Sequence, residues 1–316
     1  MGTRIRTILV AVAEPSVREQ PAVDRAAQLA QACDARVVLF HAAFNSALSG
    51  RPFFDSRGLA KSRGLVVAQR TKLLERLAKG MKARGVAVES YVVWEEPAHE
   101  AIIRAALREK ADLVVAGRHA RRADGPQPLR LTDWDLMRLC PRPLLLVRSR
   151  AAGSGVVLAA LDPTHANDKP ANLDLSIAAH ADALAQALQV ECHAVHCVPR
   201  GAYLMDQATP AQRKRVHARI QRLIKSAHAE MKRVHVVEGD VSTAVPALAR
   251  KLDAQILAMG IVSRRWLKRF VIGDTAESLI RDVPCDLLRI AEGQVERQPG
   301  RPSARGPIRI GAYTKT

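Results

Sequence analysis

Aromatic side chains are scarce, 3% of the 316 residues, so the cores must be built from Ala, Val, Leu and Ile, which fill parallel sheets and the helices that cover them. That scarcity argues against an all-β sandwich and for an α/β fold. Cysteine is sparse as well: Cys33, Cys140, Cys192, Cys197 and Cys285 are odd in number and form no C-x-x-C pair. This speaks against a disulfide framework and a zinc ribbon, and it suits a reducing cytoplasm. No apolar run approaches the ~18 to 20 residues that span a bilayer. The strand-like TILVAVA starts within a few residues of Met1, so neither a signal peptide nor a membrane anchor is expected.

Catalytic signatures are missing too. The sequence contains no G-x4-G-K-[ST] loop, no G-x-S-x-G elbow, no H-E-x-x-H and no G-x-G-x-x-G after the first strand, and nothing pairs a nucleophile with a base. A non-catalytic protein that acts by binding is the expectation. Acids are outnumbered by bases, 31 Asp and Glu against 49 Lys and Arg, for a formal charge of +18. Such an excess favours polyanions such as nucleic acid, nucleotides or anionic headgroups through salt-sensitive attraction. It is equally compatible with cations crowded on solvated faces.

What is present is a duplication. The same order of segments occurs twice, displaced by roughly 145 residues, a domain-sized period. Strand-like runs lie at 7–13, 36–41, 87–93, 112–116 and 143–148, and again at 155–161, 191–196, 234–237, 255–259 and 286–290, with helix-period stretches between them. Alternating strand and helix implies parallel pairing. Right-handed crossovers then give two tandem, doubly wound, five-stranded parallel sheets whose ligand crevices lie beyond the carboxyl ends of the strands. The expected domains are residues 1–150 and 155–291, joined by the small, flexible Arg150–Gly155 stretch. Residues 292–316, rich in Gly, Pro and Arg, form a basic tail expected to be disordered.

The second copy carries MGIVSRRWLKRFVIGDTAESLI after its fourth strand, and the first carries LTDWDLMRLCPRPLLLV and a VVW at Val92–Trp94. The former resembles the G-x2-G-x9-G-[ST] phosphate loop of the universal stress protein family. The latter two resemble stretches of its tandem E subgroup, and the resemblance covers nearly the whole chain apart from the tail. It implies an adenine nucleotide alpha hydrolase-like, Rossmann-like fold arranged as an internal pseudo-dimer, with further homo-oligomerisation open. It also implies a cytoplasmic stress-response role that includes resistance to DNA-damaging stress.

In nucleotide-binding members of that family an Asp at the end of the first strand contacts the nucleoside. Asp162 matches it in the second copy, whereas the first copy has Ala13. Loop glycines let backbone N–H groups approach phosphate oxygens, and Gly260 and Gly273 match those positions. Ser263 replaces the second motif glycine, and Asp274 stands where a hydroxyl is expected, with Thr275 next. An acid there also suits a helix N-terminus by roughly 0.3 to 1 kcal/mol. In the first copy Gly117 is followed by Arg118, His119, Ala120, Arg121 and Arg122, a degenerate site.

Both loops are basic: Arg118, Arg121, Arg122 and Arg130 in one, Arg264, Arg265, Lys268 and Arg269 in the other. Arginine forks hold anions without a glycine cradle, and Trp266 and Phe270 could stack on a base or cover an apolar tail. Packing of those aromatics on their own domain is the alternative. The leading expectation is therefore an anionic or amphiphilic small ligand in the second crevice, with Arg264, Arg265 and Lys268 as counter-charges. ATP binding there, as a switch or a weak ATPase, is one alternative. Association with nucleic acid through the basic loops and tail is another.

Three further patterns have structural readings. Val216, Ile220, Leu223, Ala227 and Met231 form a helical seam in a cation-rich segment, which packs on its own sheet or lies on an anionic surface. Cys192, His193, His196 and Cys197 hold metal-ligand types, but strand alternation points His193 and His196 oppositely, so buried strand residues are expected and a metal is not. Glu95, Glu96 and Glu238 follow the third strands, where adjacent helices begin and can use negative charge.

Overall fold

The computed structural model describes residues 3–48, 56–117, 131–148, 155–163, 172–198, 209–261 and 274–291. They form two compact bodies, Ile5–Gly117 and the described part of Arg118–Val295.

The first body runs β1 (Thr7–Ala11), α1 (Pro21–Cys33), β2 (Arg36–Ala43), α2 (Ser56–Ala83), β3 (Val88–Trp94), α3 (Ala98–Arg108) and β4 (Leu113–Gly117). All pairings are parallel in the order β3-β2-β1-β4, with Ile8 opposite Val37 on one side and Leu113 on the other. β1 is buried at every position, the continuous burial of a strand covered by helices on both faces.

The second body runs α4 (Leu131–Leu139), β5 (Leu144–Val147), β6 (Val157–Ala160), α5 (Leu173–Leu188), β7 (Cys192–Val198), α6 (Pro210–Ser226), β8 (Arg233–Glu238), α7 (Val241–Lys251), β9 (Ile256–Ile261), α8 (Asp274–Asp282) and β10 (Asp286–Ala291). Its strand order is β5-β10-β9-β6-β7-β8. The five strands from β10 to β8 pair in parallel, as the alternation of strand and helix requires. β5, which closes the first repeat in sequence, pairs antiparallel with β10, Leu145 opposite Leu288. The α/β, doubly wound architecture expected from the sequence is the one observed.

Gly155, two residues before β6, stands where no side chain fits: a Cβ there would lie 2.3 Å from the carbonyl oxygen of Leu252 and 2.4 Å from that of Asp253. In α6 the buried stripe is Val216, Ile220 and Ile224. Leu223, Ala227 and Met231, expected in that stripe, are only half-buried, because the helix turns Ile224 rather than Leu223 onto the sheet. Among the described residues no helix is long and apolar enough to cross a bilayer.

Candidate functional site

In each body the chain leaves the first strand in one direction and returns on its other side. The second repeat has that switch between β6 and β9, and open α/β sheets bind ligands beyond the carboxyl ends at this point. β6 ends at Ala160. Leu161 donates its N–H to Val195 O at 2.9 Å, which delivers Asp162 to the rim.

The backbone N–H of Asp162 points to Asp174 Oδ1 at 3.4 Å. Asp174 lies in the first turn of α5, where an acid complements the helix dipole. His196 on β7 is 4% exposed, and its Nδ1 donates to the Leu161 carbonyl at 3.0 Å. The same nitrogen lies 3.8 Å from Asp162 Oδ1, and the Asp162 side chain stays 43% exposed. A fixed backbone thus holds a partly exposed carboxylate beyond the carboxyl end of β6.

Beside it, Cys197 donates its thiol to Gly239 O at 3.5 Å. Burial, reinforced by Asp240 and Asp162, pushes the Cys197 pKa up to about 11, so the thiol stays protonated at neutral pH and is a poor nucleophile. Gly239 takes a φ of +136°, a conformation that needs glycine. The turn it makes lets Asp240 cap α7 through Ser242 N at 2.9 Å. The hydrogen bonds from Ser242 hold the Asp240 carboxyl below the usual range. Asp240 caps this helix, whereas Glu238 pairs with Arg213 at 2.8 Å. Glu95 pairs with Arg104 in the first body.

The expected residues are distributed unevenly. Asp162 lies two residues past the end of β6, and Gly260 is the penultimate residue of β9. A Cβ on Gly260 would meet Leu173 Cδ2 at 2.7 Å and Ile177 Cδ1 at 3.0 Å, so α5 packs directly over this glycine. Asp274 and Thr275 open α8. Ser263, Arg264, Arg265, Trp266, Lys268, Arg269, Phe270 and Gly273 lie outside the described residues, as do Arg118, His119, Ala120, Arg121, Arg122, Arg130 and the tail.

The first body repeats half of the arrangement. Val12 donates to Phe40 O at 2.8 Å, and His41 Nδ1 donates to Val12 O at 2.7 Å. Ala13 stands where Asp162 stands in the second. Glu14, next along, is taken up by Arg70 and by Ser16 Oγ at 2.6 Å. Burial opposes its ionisation, but the bonds from Ser16 and Arg70 prevail and hold its pKa below the ordinary value.

Residues 4–148 and 167–290 each match the Universal stress protein family. The chain belongs to that family. Two curated relatives show the tandem arrangement to be that of the E subgroup. Universal stress protein E of Photorhabdus laumondii is 27% identical over 294 residues, which is 89% of this chain and 94% of that protein. Universal stress protein E of Escherichia coli is 27% identical over 305 residues, 91% and 95% of the two chains. A functionally unknown protein from Pseudomonas aeruginosa superposes with a TM-score of 0.68 at 23% identity, covering 92% of this chain and 93% of that one. A universal stress protein from Archaeoglobus fulgidus does so at 0.61 and 14%, covering 90% and 98%. The family supports a stress-response role.

His193 and His196 are buried strand residues, as the alternation along β7 predicts, but that pattern gives no hint of the bond from His196 to Leu161. Aligning the two copies places His41 and His196 at the same point of the second strand. Recurrence in both repeats was the available signal.

Proposed function

We propose that this universal stress protein acts by binding an anionic or amphiphilic small ligand in the crevice beyond β6 and β9, without catalysis, as part of resistance to stress that includes DNA damage. The observation that carries this reading is the pairing of Asp162 and His196. The buried imidazole fixes the end of β6 through the Leu161 carbonyl, and the carboxylate beside it stays open to solvent. Asp162 would accept from a hydroxyl or amine end of the ligand, with Arg264, Arg265 and Lys268, which follow β9 in sequence, as counter-charges for its anionic end. The Cys197 thiol, its pKa pushed up to about 11 by burial and by Asp240 and Asp162, stays protonated and supports a binding role.

ATP is the second reading, favoured by the retained Asp162, Gly260 and Gly273 and disfavoured by Ser263 and Asp274. Restoring the motif with Ser263→Gly and Asp274→Ser should then raise ATP affinity. Titration calorimetry of the full chain with ATP and with oleate, together with a phosphate-release assay, tests the proposal. One of the two probes should bind, with no phosphate release above background. Turnover of ATP, or silence with both probes, would overturn it.

A further inference from the structure

Most of the helices place an acid at their start: α1, α3, α4 and α5 carry Asp24, Glu100, Asp133 and Asp174 in the first turn, and α7 has Asp240 as its N-cap, whereas α2 and α6 have none. The positive end of the helix dipole makes those choices stabilising. The first two turns of α6 carry Arg213, Lys214 and Arg215 instead. From Thr209 to Ala229 the sequence holds six Lys and Arg and no Asp or Glu.

The helix forms in spite of this because Thr209 and Gln212 close a capping box and Pro210 occupies its first position. Arg213 is offset by Glu238 at 2.8 Å. Lys214, Arg215, Arg219, Arg222 and Lys225 are all exposed, and among the described residues none has an acid partner. A sequence that forgoes local stability at exposed positions is expected where a partner supplies the missing charge.

We propose that the exposed face of α6 is a docking surface for the phosphodiester backbone of duplex nucleic acid. Arg215, Arg219 and Arg222 follow one another at spacings of four and three, which lines them up along one side of the helix. The row is about 10 Å long and spans roughly three phosphates of one strand. Guanidinium forks match phosphate oxygens bidentately. A bilayer surface is the poorer fit, because such helices insert an apolar face beside the basic one. Here the apolar face, Val216, Ile220 and Ile224, is already buried in a helix that packs on α5 and β8. The contact reads charge and not bases, so it carries no sequence preference.

The test is fluorescence anisotropy of the full chain with a labelled duplex DNA of arbitrary sequence across a salt series. The triple variant Arg215→Gln, Arg219→Gln, Arg222→Gln should bind at least about tenfold more weakly near 100 mM salt, and its log–log salt slope should shrink by roughly 2 to 3. The triple Lys variant at the same positions should restore binding. A charge-matched control, Arg4→Gln, Arg18→Gln and Lys110→Gln, should lose far less. Equal losses in the two Gln triples, or no DNA binding by the native chain at low salt, would overturn the proposal. So would an unchanged DNA affinity in the α6 triple with loss of binding to phosphatidylserine vesicles, which would assign the face to a membrane.

Discussion

Arg289 on β10 donates from its guanidinium to the carbonyl of Cys140, where α4 ends. Arg148, just after β5, donates to the carbonyl of Val283, where α8 ends, at 2.7 Å. Each closing strand therefore supplies a cation to the last turn of the other repeat's fourth helix, where the dipole is negative and carbonyls lack partners. Around these contacts β5 and β10 pair antiparallel, and Asp286 accepts from the Arg148 N–H at 2.8 Å.

Arg289 is 4% exposed, and burial lowers its pKa from the usual guanidinium value. Its Nε has no hydrogen-bond partner among the described residues. Arg289→Ala would strand the Cys140 carbonyl and leave a cavity, at a cost of roughly 2–4 kcal/mol. Arg289→Leu should cost clearly less, because it removes the buried charge along with the cap and places here the residue that Leu146 supplies in the first repeat. Urea midpoints of the two variants check the order. An Ala variant as stable as the Leu variant would contradict it.

Stability should fall on mild acidification. Burial holds the pKa of His41 below the ordinary value, with Arg70 acting in the same direction and the Val12 carbonyl and Glu14 opposing. Burial does the same to His235, aided by His193, Arg233 and Lys251. A histidine whose folded pKa is depressed binds its proton more readily in the unfolded chain. Its contribution is complete above the unfolded pKa and is lost as pH falls through that value toward the folded one. The melting temperature should therefore drop between about pH 7 and about pH 5, the histidine range, and His41→Asn should flatten that slope. An unchanged slope in the variant would show that His41 does not report on folding.

Gly260 and Gly117 occupy matching positions in the two repeats but differ in surroundings. Gly260→Ala forces its methyl into Leu173 and Ile177, whereas the nearest atom to a new Cβ on Gly117 is Ala22 Cβ at 3.8 Å. The former should cost about 1–3 kcal/mol and the latter little. Leu173→Ala should cost less in the Gly260→Ala background than in the native chain, because it empties the contested space. Denaturant midpoints of the four variants decide it.

The fold was legible because its signals are local. All ten strand-like runs coincide with strands of the structure to within a few residues, and the near-continuous apolar character of TILVA and ILAM marked buried parallel strands. The pairing of β5 with β10 left no such trace, since it joins residues about 140 apart in sequence and rests on arginines that composition alone reads as surface charge. The candidate site is less legible. The family resemblance points to Asp162, which stands just past the end of β6, but the reason for glycine at 260 needs the position of α5. His196, dismissed as a ligand, turned out to hold the very carbonyl that positions Asp162.

Native mass spectrometry of the purified full chain, before and after denaturing release, tests ligand binding beyond β6 and β9. One small anionic or amphiphilic ligand should accompany each native chain. It should be absent from Asp162→Ala and retained by Glu14→Ala, whose carboxylate is already engaged by Arg70 and Ser16. A native chain with no ligand, or a ligand that survives Asp162→Ala undiminished, would contradict it.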